Sequence, residues 1–280
     1  MSLRTPTISR TRRTLAFVAV GALVALAGCN RSSERLDPAA ASAKGDALLR
    51  EMSKNLAAAQ TFSFTADERR EGGPKGTAAP KVTTRRVTIR RPDAFAFAGK
   101  GDNGDVEAWY DGKQLTLVSH AHKVWARGPM PPTLDESIDF ISSEYRIPIP
   151  TADLLYSSPY DALMTKDTTG GWVDVQKVGA LSCDHLAYQQ ELVDWEIWLS
   201  SDRRLPCQLK ITYKTEPDAP STIVTYHGLE AQVAADTFTP KIPEGYQRIK
   251  IMRHATREAP AVEDAPAPTA TSGPDKNKSR

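Results

Sequence analysis

The sequence predicts a mainly β protein of the α+β class, built on an antiparallel sheet. Two observations predict it. Short segments with apolar residues at every second position, separated by turn residues, follow one another along most of the 280-residue chain. Helical periodicity is confined to one segment before these strands and to one stretch in the middle. About ten predicted strands are enough for the sheet to curl strongly or to close partly.

One long helix is predicted before the strands. Asp37 is a favourable N-cap, and Pro38 suits the first helical position. Leu48, Met52 and Leu56 are spaced by four residues, so they share one face of this helix. The apolar face predicts a helix that packs against the sheet.

The first strands follow this helix directly. The segment TFSFTADE alternates and places Phe62 and Phe64 on one side. The segment KVTTRRVTIRRPDAFAFAG predicts two further strands, separated by Pro92. The segment VEAWYDGKQLTLVS predicts a hairpin whose two-residue turn is Asp111-Gly112.

Helical segments then interrupt the strands. Thr133 and Glu136 fit a capping box at the start of one helix, and Ser158-Pro159 begins a second, shorter one. Strand-like alternation returns afterwards. The later predicted strands are Trp172–Lys177, Ser182–Gln190, Asp194–Ser200, Cys207–Lys214, Ser221–Val233 and Gln247–Met252.

Two cysteines, Cys183 and Cys207, lie within this later meander. By alternation, Cys207 shares the inner face with Leu209, whereas Cys183 points to the opposite face. Two strand spacings also separate them by about 10 Å, beyond the usual reach of a disulfide. We therefore expect no disulfide between them, unless a bulge changes the register.

The N-terminal segment has the features of an export signal peptide. Four arginines precede a run, residues 14–28, that contains no charged residue. This run is shorter than the roughly 20 residues that a membrane-spanning helix needs. It ends in LAGC at Cys29, which resembles the bacterial lipobox and implies cleavage before Cys29 and lipid on its thiol. The alternative is an ordinary signal with a chance cysteine. In such lipoproteins an aspartate after the cysteine typically marks retention at the inner membrane, so Asn30 implies export to the outer membrane.

These features divide the chain into four parts: a lipoprotein signal peptide over residues 1–28, a lipidated tether over 29–36, a periplasmic domain over 37–252, and a disordered tail over 253–280. Removing four arginines with the signal lowers the formal net charge from +2 to −2. The apparent basicity therefore belongs to the signal, and nucleic acid is not an expected partner.

Several segments together resemble a known family. They are LLREMSKNLAAAQTFSFTAD, VTIRRPDAFAF, AWYDGKQLTLV, TLDESIDFISSEYRIPIPTADLLYSSPY and CDHLAYQQELVDWEIWLSSDRRLPCQLKITYK, in this order between Asp37 and Met252. The family comprises predicted periplasmic bacterial proteins with a domain of unknown function, number 2092. It is distantly similar to the lipoprotein carriers of the LolA/LolB-like fold. The resemblance implies an open antiparallel half-barrel with helices across its concave side, and no known activity.

An apolar stripe follows the predicted strands on one face. In a closed sandwich these side chains are simply core, whereas in an open half-barrel they line a concavity that binds a ligand. Trp109 and Trp198 fall on the opposite faces, and we expect them to be the more accessible tryptophans. The candidate ligand-binding residues are Phe62, Phe64, Phe95, Phe97, Leu115, Leu117, Trp195, Ile197, Leu209 and Ile211.

A basic segment comprises Arg85, Arg86, Arg90 and Arg91 on one predicted strand and the turn after it. It has two interpretations. The arginines either bind lipid phosphates or the lipopolysaccharide-rich membrane surface, or they protect an exposed strand against edge pairing. We expect the second.

No residue pattern predicts catalysis. His120 and His122 lack the third ligand that zinc sites need, so a solvated loop is expected there. Asp184 and His185 are neighbours on a strand and point to opposite faces, which makes them a poor catalytic pair. The nucleophile-elbow, zinc-protease and phosphate-loop motifs are absent from the sequence. We therefore expect no enzyme, no metal and no cofactor.

The sequence thus predicts a periplasmic lipoprotein, anchored to the outer membrane at Cys29. Its half-barrel would bind a lipid, an acyl chain or another apolar ligand. The alternative is a structural, interaction or envelope-sensing protein with a filled barrel and an envelope protein as its partner. Neither the ligand nor the oligomeric state follows from the residues.

Overall fold

The computed structural model describes residues 36–72, 82–101, 104–147, 149, 151–230 and 233–251. The predicted signal peptide, lipidation site and tail lie outside these residues. The helices are α1 (Pro38–Ala58), α2 (Leu134–Glu144) and α3 (Pro159–Leu163), with short 3₁₀ helices at Ala152–Leu154 and Ala235–Phe238. The strands are β1 (Thr61–Glu71), β2 (Val82–Arg90), β3 (Ala94–Lys100), β4 (Val106–Tyr110), β5 (Gln114–Ser119), β6 (Val124–Pro129), β7 (Thr169–Val178), β8 (Leu181–Gln189), β9 (Val193–Ser200), β10 (Pro206–Tyr213), β11 (Ser221–Glu230) and β12 (Gln247–Ile249).

The described strands form one open sheet in the order β12-β6-β5-β4-β3-β2-β1-β11-β10-β9-β8-β7. All neighbours are antiparallel except β12, which pairs in parallel with β6. The chain meanders from β1 to β6, crosses the concave face through α2 and α3, and re-enters at β7 on the far edge. A second meander leads back to β11, which pairs with β1. The predicted half-barrel is confirmed, with twelve strands rather than about ten.

Helix α1 covers the part of the sheet formed by β7–β11 and β1, which we call the filled part. The Asp37 carboxylate accepts a hydrogen bond from the Ala40 backbone N–H at 2.9 Å and caps the helix as predicted. Gly45 lies directly on β7: a Cβ there would lie 2.8 Å from the Gly171 Cα, so a side chain would push the helix off the strand. This close approach lets the apolar face of α1 reach the sheet, where it buries Leu48, Leu49, Met52 and Leu56.

The convex face of the sheet carries two small apolar clusters of its own. Trp109 is only 6% exposed because Phe238, Ile242 and Tyr246 from the C-terminal segment pack over it. Trp198 is 7% exposed and packs with the two cysteines. The expectation that these tryptophans are accessible is therefore wrong. The strands alone did not reveal that later chain segments return to cover the convex face.

The two cysteines, Cys183 and Cys207, are joined by a disulfide, so the expectation against it is also wrong. A register irregularity between Pro206 and Gln208, where β10 pairs with β9, contains Cys207. This bulge turns the cysteine from the inner face to the convex face, where Cys183 already lies, and leaves the two Cα atoms 7.1 Å apart.

The hairpin between β4 and β5 forms as predicted, but its turn lies one residue later. The Asp111 N–H donates to the Gln114 carbonyl at 3.3 Å, so Gly112 and Lys113 are the two central residues. Gly112 has a φ of 87°, which suits glycine at the first central position of such a turn.

Candidate functional site

The second part of the half-barrel, formed by β2–β6 under α2, contains a cavity and is called the cavity part. Three cross-strand rows of residues face the concave side here. We name them by their distance from the start of α2. The inner row is Ile89, Phe95, Tyr110, Leu115 and Gly128; the middle row is Val87, Phe97, Ala108, Leu117 and Ala126; the outer row is Arg85, Gly99, Val106, Ser119 and Val124.

Small residues leave room above the middle row. Ala108 lies between Phe97 and Leu117 in the register, and Ala126 lies beyond Leu117. An alanine reaches only one carbon from the backbone, so large side chains alternate here with gaps. The alternation creates space between the sheet and the helix above it.

Helix α2 covers this space. Thr133 and Glu136 form the predicted capping box: the threonine hydroxyl accepts from the Glu136 N–H at 3.3 Å and donates to its carboxylate at 2.8 Å. The Leu134 N–H donates to the Pro92 carbonyl at 2.7 Å, which fixes the start of α2 beside β3. The turns of the helix that face the sheet carry Leu134, Ile138 and Ile141.

The cavity has a volume of about 470 Å³ and a predominantly hydrocarbon lining. Ile147 and Ile149, in the segment that follows α2, line one side of the cavity, and Ile249 of β12 lines another. Tyr110 and Leu115 of the inner row are buried, whereas Arg85, Ser119 and Val124 of the outer row are half-buried. The cavity therefore opens towards the outer row.

One ion pair lies in this apolar lining. Arg85 of the outer row approaches Glu68 of β1, with 2.5 Å between the guanidinium Nη1 and the carboxylate Oε2. Their side chains are 26% and 19% exposed, respectively. The exposed Lys250, which follows β12, also borders the cavity.

The ten residues predicted to bind a ligand divide between the two parts of the half-barrel. Four of them line the cavity: Phe95, Phe97, Leu115 and Leu117. The other six lie in or against the packed core of the filled part: Phe62, Phe64, Trp195, Ile197, Leu209 and Ile211. Contact of any of the ten with a ligand stays a prediction.

A second, smaller cavity of about 140 Å³ lies in the filled part, between α3 and the strands. Trp195, Leu209 and Ile211 border it together with the half-buried Asp153. Burial raises the pKa of the Asp153 carboxyl above its ordinary value. This acidic group borders a cavity with both polar and apolar lining residues, and it has no ion pair among the described residues.

The four arginines of the basic segment occupy different environments. Their strand β2 pairs with β1 and with β3, so the interpretation of a protected edge strand is wrong. Arg85 points into the cavity, and Arg86 and Arg90 are exposed. Arg91 donates from Nη1 to the Leu155 carbonyl at 3.0 Å, and burial lowers the pKa of its guanidinium.

The two histidines of the SHAH segment differ in their surroundings. In the turn after β5, His120 contacts Tyr246 Oη at 3.0 Å and Glu107 Oε2 at 2.9 Å, and His122 is exposed. Asp184 and His185 point to opposite faces, as predicted. No group of three or more His, Cys, Asp or Glu side chains among the described residues is placed to hold a metal ion.

Sequence reasoning missed several cavity residues. Strand β6, which supplies Ala126, was not predicted, and Ala108 was not singled out because alanine is weakly apolar. Ile138 and Ile141 recur at helical spacing after the capping box at Thr133. This amphipathic pattern was the signal that could have identified α2 as one wall of a cavity.

The fold and the site define a class: an open antiparallel half-barrel with an apolar cavity between its sheet and a covering helix. The family model described as "Predicted periplasmic protein (DUF2092)" matches residues 45–252. The chain therefore belongs to this family, as the sequence resemblance predicted. A search of curated proteins found no match.

Several solved structures are similar to this chain. An uncharacterized conserved protein from Thermus thermophilus has a TM-score of 0.44 and 9% identity, covering 73% of this chain and 97% of that one. The Mycobacterium tuberculosis lipoprotein LppX has a TM-score of 0.43 and 12% identity, with coverages of 72% and 100%. A LolA superfamily protein from Nitrosomonas europaea has a TM-score of 0.33 and 8% identity, with coverages of 71% and 98%. No helix among the described residues is long and apolar enough to cross a membrane.

Proposed function

We propose that this protein works in the periplasm and binds an apolar ligand, such as an acyl chain, in the cavity part of its half-barrel. The observation that supports the proposal is the cavity of about 470 Å³ beneath α2, with its hydrocarbon lining. Ligand sites typically enclose about 300–1,000 Å³ and are lined mainly by apolar side chains. The cavity meets both criteria.

The size of the cavity favours a binding role over a purely structural one. Protein cores are packed at crystal-like density, and voids larger than a water molecule are few. In the filled part of the same domain, Leu49, Met52 and Ile197 are fully buried, and the cavity there is smaller, about 140 Å³. A hollow of this size beside a well-packed core indicates space reserved for an occupant.

We propose binding without a chemical step. A reaction needs a nucleophile or a general acid or base close to the reacting atoms. The charged groups that line the cavity are Glu68, Arg85 and Lys250, and the first two form an ion pair. The hydrocarbon lining suits burial of a ligand chain rather than activation of a bond.

Binding can be tested with Nile red, an uncharged apolar dye whose fluorescence rises in apolar surroundings. The wild-type domain should bind it saturably. Ala108→Leu adds three carbons to the middle row and should weaken binding about tenfold or more with little change in melting temperature. Ala98→Leu is the matched control because Ala98 pairs with Glu107 on the convex face. Absence of saturable binding to the wild type would leave the alternative role, an interaction surface for an envelope protein.

We also propose that Cys29 carries the lipid that holds the domain at a membrane. The LAGC sequence and the uncharged run before it support this, and Asn30 supports the outer membrane as the destination. Two or three acyl chains anchor a protein stably, at about 0.8 kcal/mol per buried CH₂. Labelling of cells with a clickable fatty acid should mark the wild type but not Cys29→Ala, which should leave the membrane fraction. An unlabelled wild type would contradict the anchor.

A further inference from the structure

An ion pair and a hydroxyl group lie at one end of the cavity. Arg85 and Ser119 belong to the outer row, and Glu68 lies beside Arg85 on β1. The side chains of the middle and inner rows that line the cavity are hydrocarbon or aromatic, and helix α2 covers them. The cavity is therefore amphipathic, with an apolar depth and a charged opening.

The cation at this opening is Arg85, which pairs with Glu68. Lys250, the other cation among the described lining residues, lies away from it, directly after Ile249 of β12, which pairs with Ala126 of the middle row. The ion pair brings the guanidinium Nη1 of Arg85 to 2.5 Å from Oε2 of Glu68, and one carboxylate can accept from at most two of the guanidinium nitrogens. A guanidinium has five N–H donors in a planar fork, so Arg85 keeps donors for a second anionic group.

We infer that the ligand is a single-chain amphiphile with an anionic oxygen-acid head, and that Arg85 holds this head at the outer row while the chain lies beneath α2. This inference rests on the proposed binding function and narrows its ligand class. A volume of about 470 Å³ lies in the lower part of the range for ligand sites, which suits one chain rather than several. Carboxylate and phosphate heads share the chemistry that a guanidinium recognises.

Displacement of Nile red by three amphiphiles with the same chain tests this inference: dodecanoate, dodecyl phosphate and the uncharged dodecanol. In the wild type, at least one anionic amphiphile should compete about tenfold better than dodecanol, because a charge-assisted hydrogen bond adds to the same apolar burial. The better of the two anions identifies the head group.

Three variants assign the effect to Arg85. Arg85→Gln should abolish the advantage of the anions while Nile red and dodecanol still bind. Glu68→Gln should increase the advantage several-fold, since it removes the carboxylate that competes for Arg85. Arg86→Gln is the matched control, because Arg86 is the next residue on β2 and is exposed. Circular dichroism and melting temperature report whether each variant is folded.

The possible results separate the inference from the proposed function. If dodecanol competes as well as both anions in the wild type, or if folded Arg85→Gln keeps the anionic preference, the head-group inference is wrong and the apolar binding role stands. If Glu68→Gln lowers the preference, a direct contact between Arg85 and the head is wrong. If the wild type does not bind Nile red, the binding function itself is contradicted.

Discussion

The filled part and the cavity part of this half-barrel are built on the same alternation of strand residues, yet one is packed and the other is hollow. In the filled part, the 21-residue helix α1 presses Leu49 and Met52 against large side chains of the sheet. In the cavity part, the 11-residue helix α2 lies above a floor that contains Ala108 and Ala126. Alternation therefore sets which face is apolar, whereas side-chain size and helix placement decide whether that face is core or cavity.

The largest expected difference between the two parts comes from the same substitution in each. Leu49→Ala in the filled part should lower the free energy of unfolding by about 2–5 kcal/mol, because it removes methyl groups from a packed site that is 0% exposed and borders neither cavity. Leu117→Ala in the cavity part should lower it by about 1 kcal/mol or less, since this side chain already borders empty space. Urea denaturation measures both values. Equal losses would contradict the distinction between the parts.

The features that the sequence predicts correctly are those that depend on local pattern, and the features that it misses depend on tertiary contacts. Strand β9 was predicted as Asp194–Ser200 and is Val193–Ser200, because local alternation and turns determine strands. The bulge at Cys207 was not assigned, since it depends on pairing with β9 rather than on local pattern. The position of the cavity was likewise not predicted, because an alanine in a strand does not indicate whether a side chain or empty space faces it. Local pattern thus predicted the elements, and tertiary placement decided the site.

The disulfide offers a second test, because it lies on the convex side of the filled part. Its cysteines are separated by 24 positions in the sequence. A link over a loop of this length typically stabilises a domain by about 2–4 kcal/mol, mainly by restricting the unfolded chain. The double variant Cys183→Ala with Cys207→Ala should lose about this amount in urea denaturation. Nile red binding by its folded fraction should be unchanged, and a loss of binding would show that the two parts are coupled.

Substitutions that enlarge a side chain should also distinguish the two parts, with a smaller change in stability. Ile197 is fully buried in the filled part, so Ile197→Phe should cost about 1–3 kcal/mol through strain. Leu117→Phe enlarges a side chain that faces the cavity, and we expect its thermal stability to stay close to that of the wild type. Differential scanning calorimetry compares them. A neutral Ile197→Phe would show that the core beneath α1 is looser than its burial indicates.

The smallest expected effect concerns Asp153, the acidic residue that borders the small cavity in the filled part. Burial raises the pKa of the Asp153 carboxyl in the folded protein, so protonation favours the folded state. The stability that this group contributes is present below the pKa of an unfolded aspartate, about 3.9, and is lost as the pH rises through the folded pKa. At neutral pH the ionised carboxylate therefore destabilises the domain.

Asp153→Asn keeps the size of this side chain and removes its charge, so the variant should be more stable than the wild type at neutral pH. The advantage should shrink as the pH falls towards about 4, because the wild-type carboxyl then becomes neutral as well. Urea denaturation of both proteins across this pH range measures the difference. If Asp153→Asn were more stable than the wild type by the same amount at every pH, packing rather than charge would be the cause. If the variant were less stable than the wild type at neutral pH, the carboxylate would have a stabilising partner. The expected result would show that the ionised Asp153 carboxylate lowers the stability of the filled part at neutral pH.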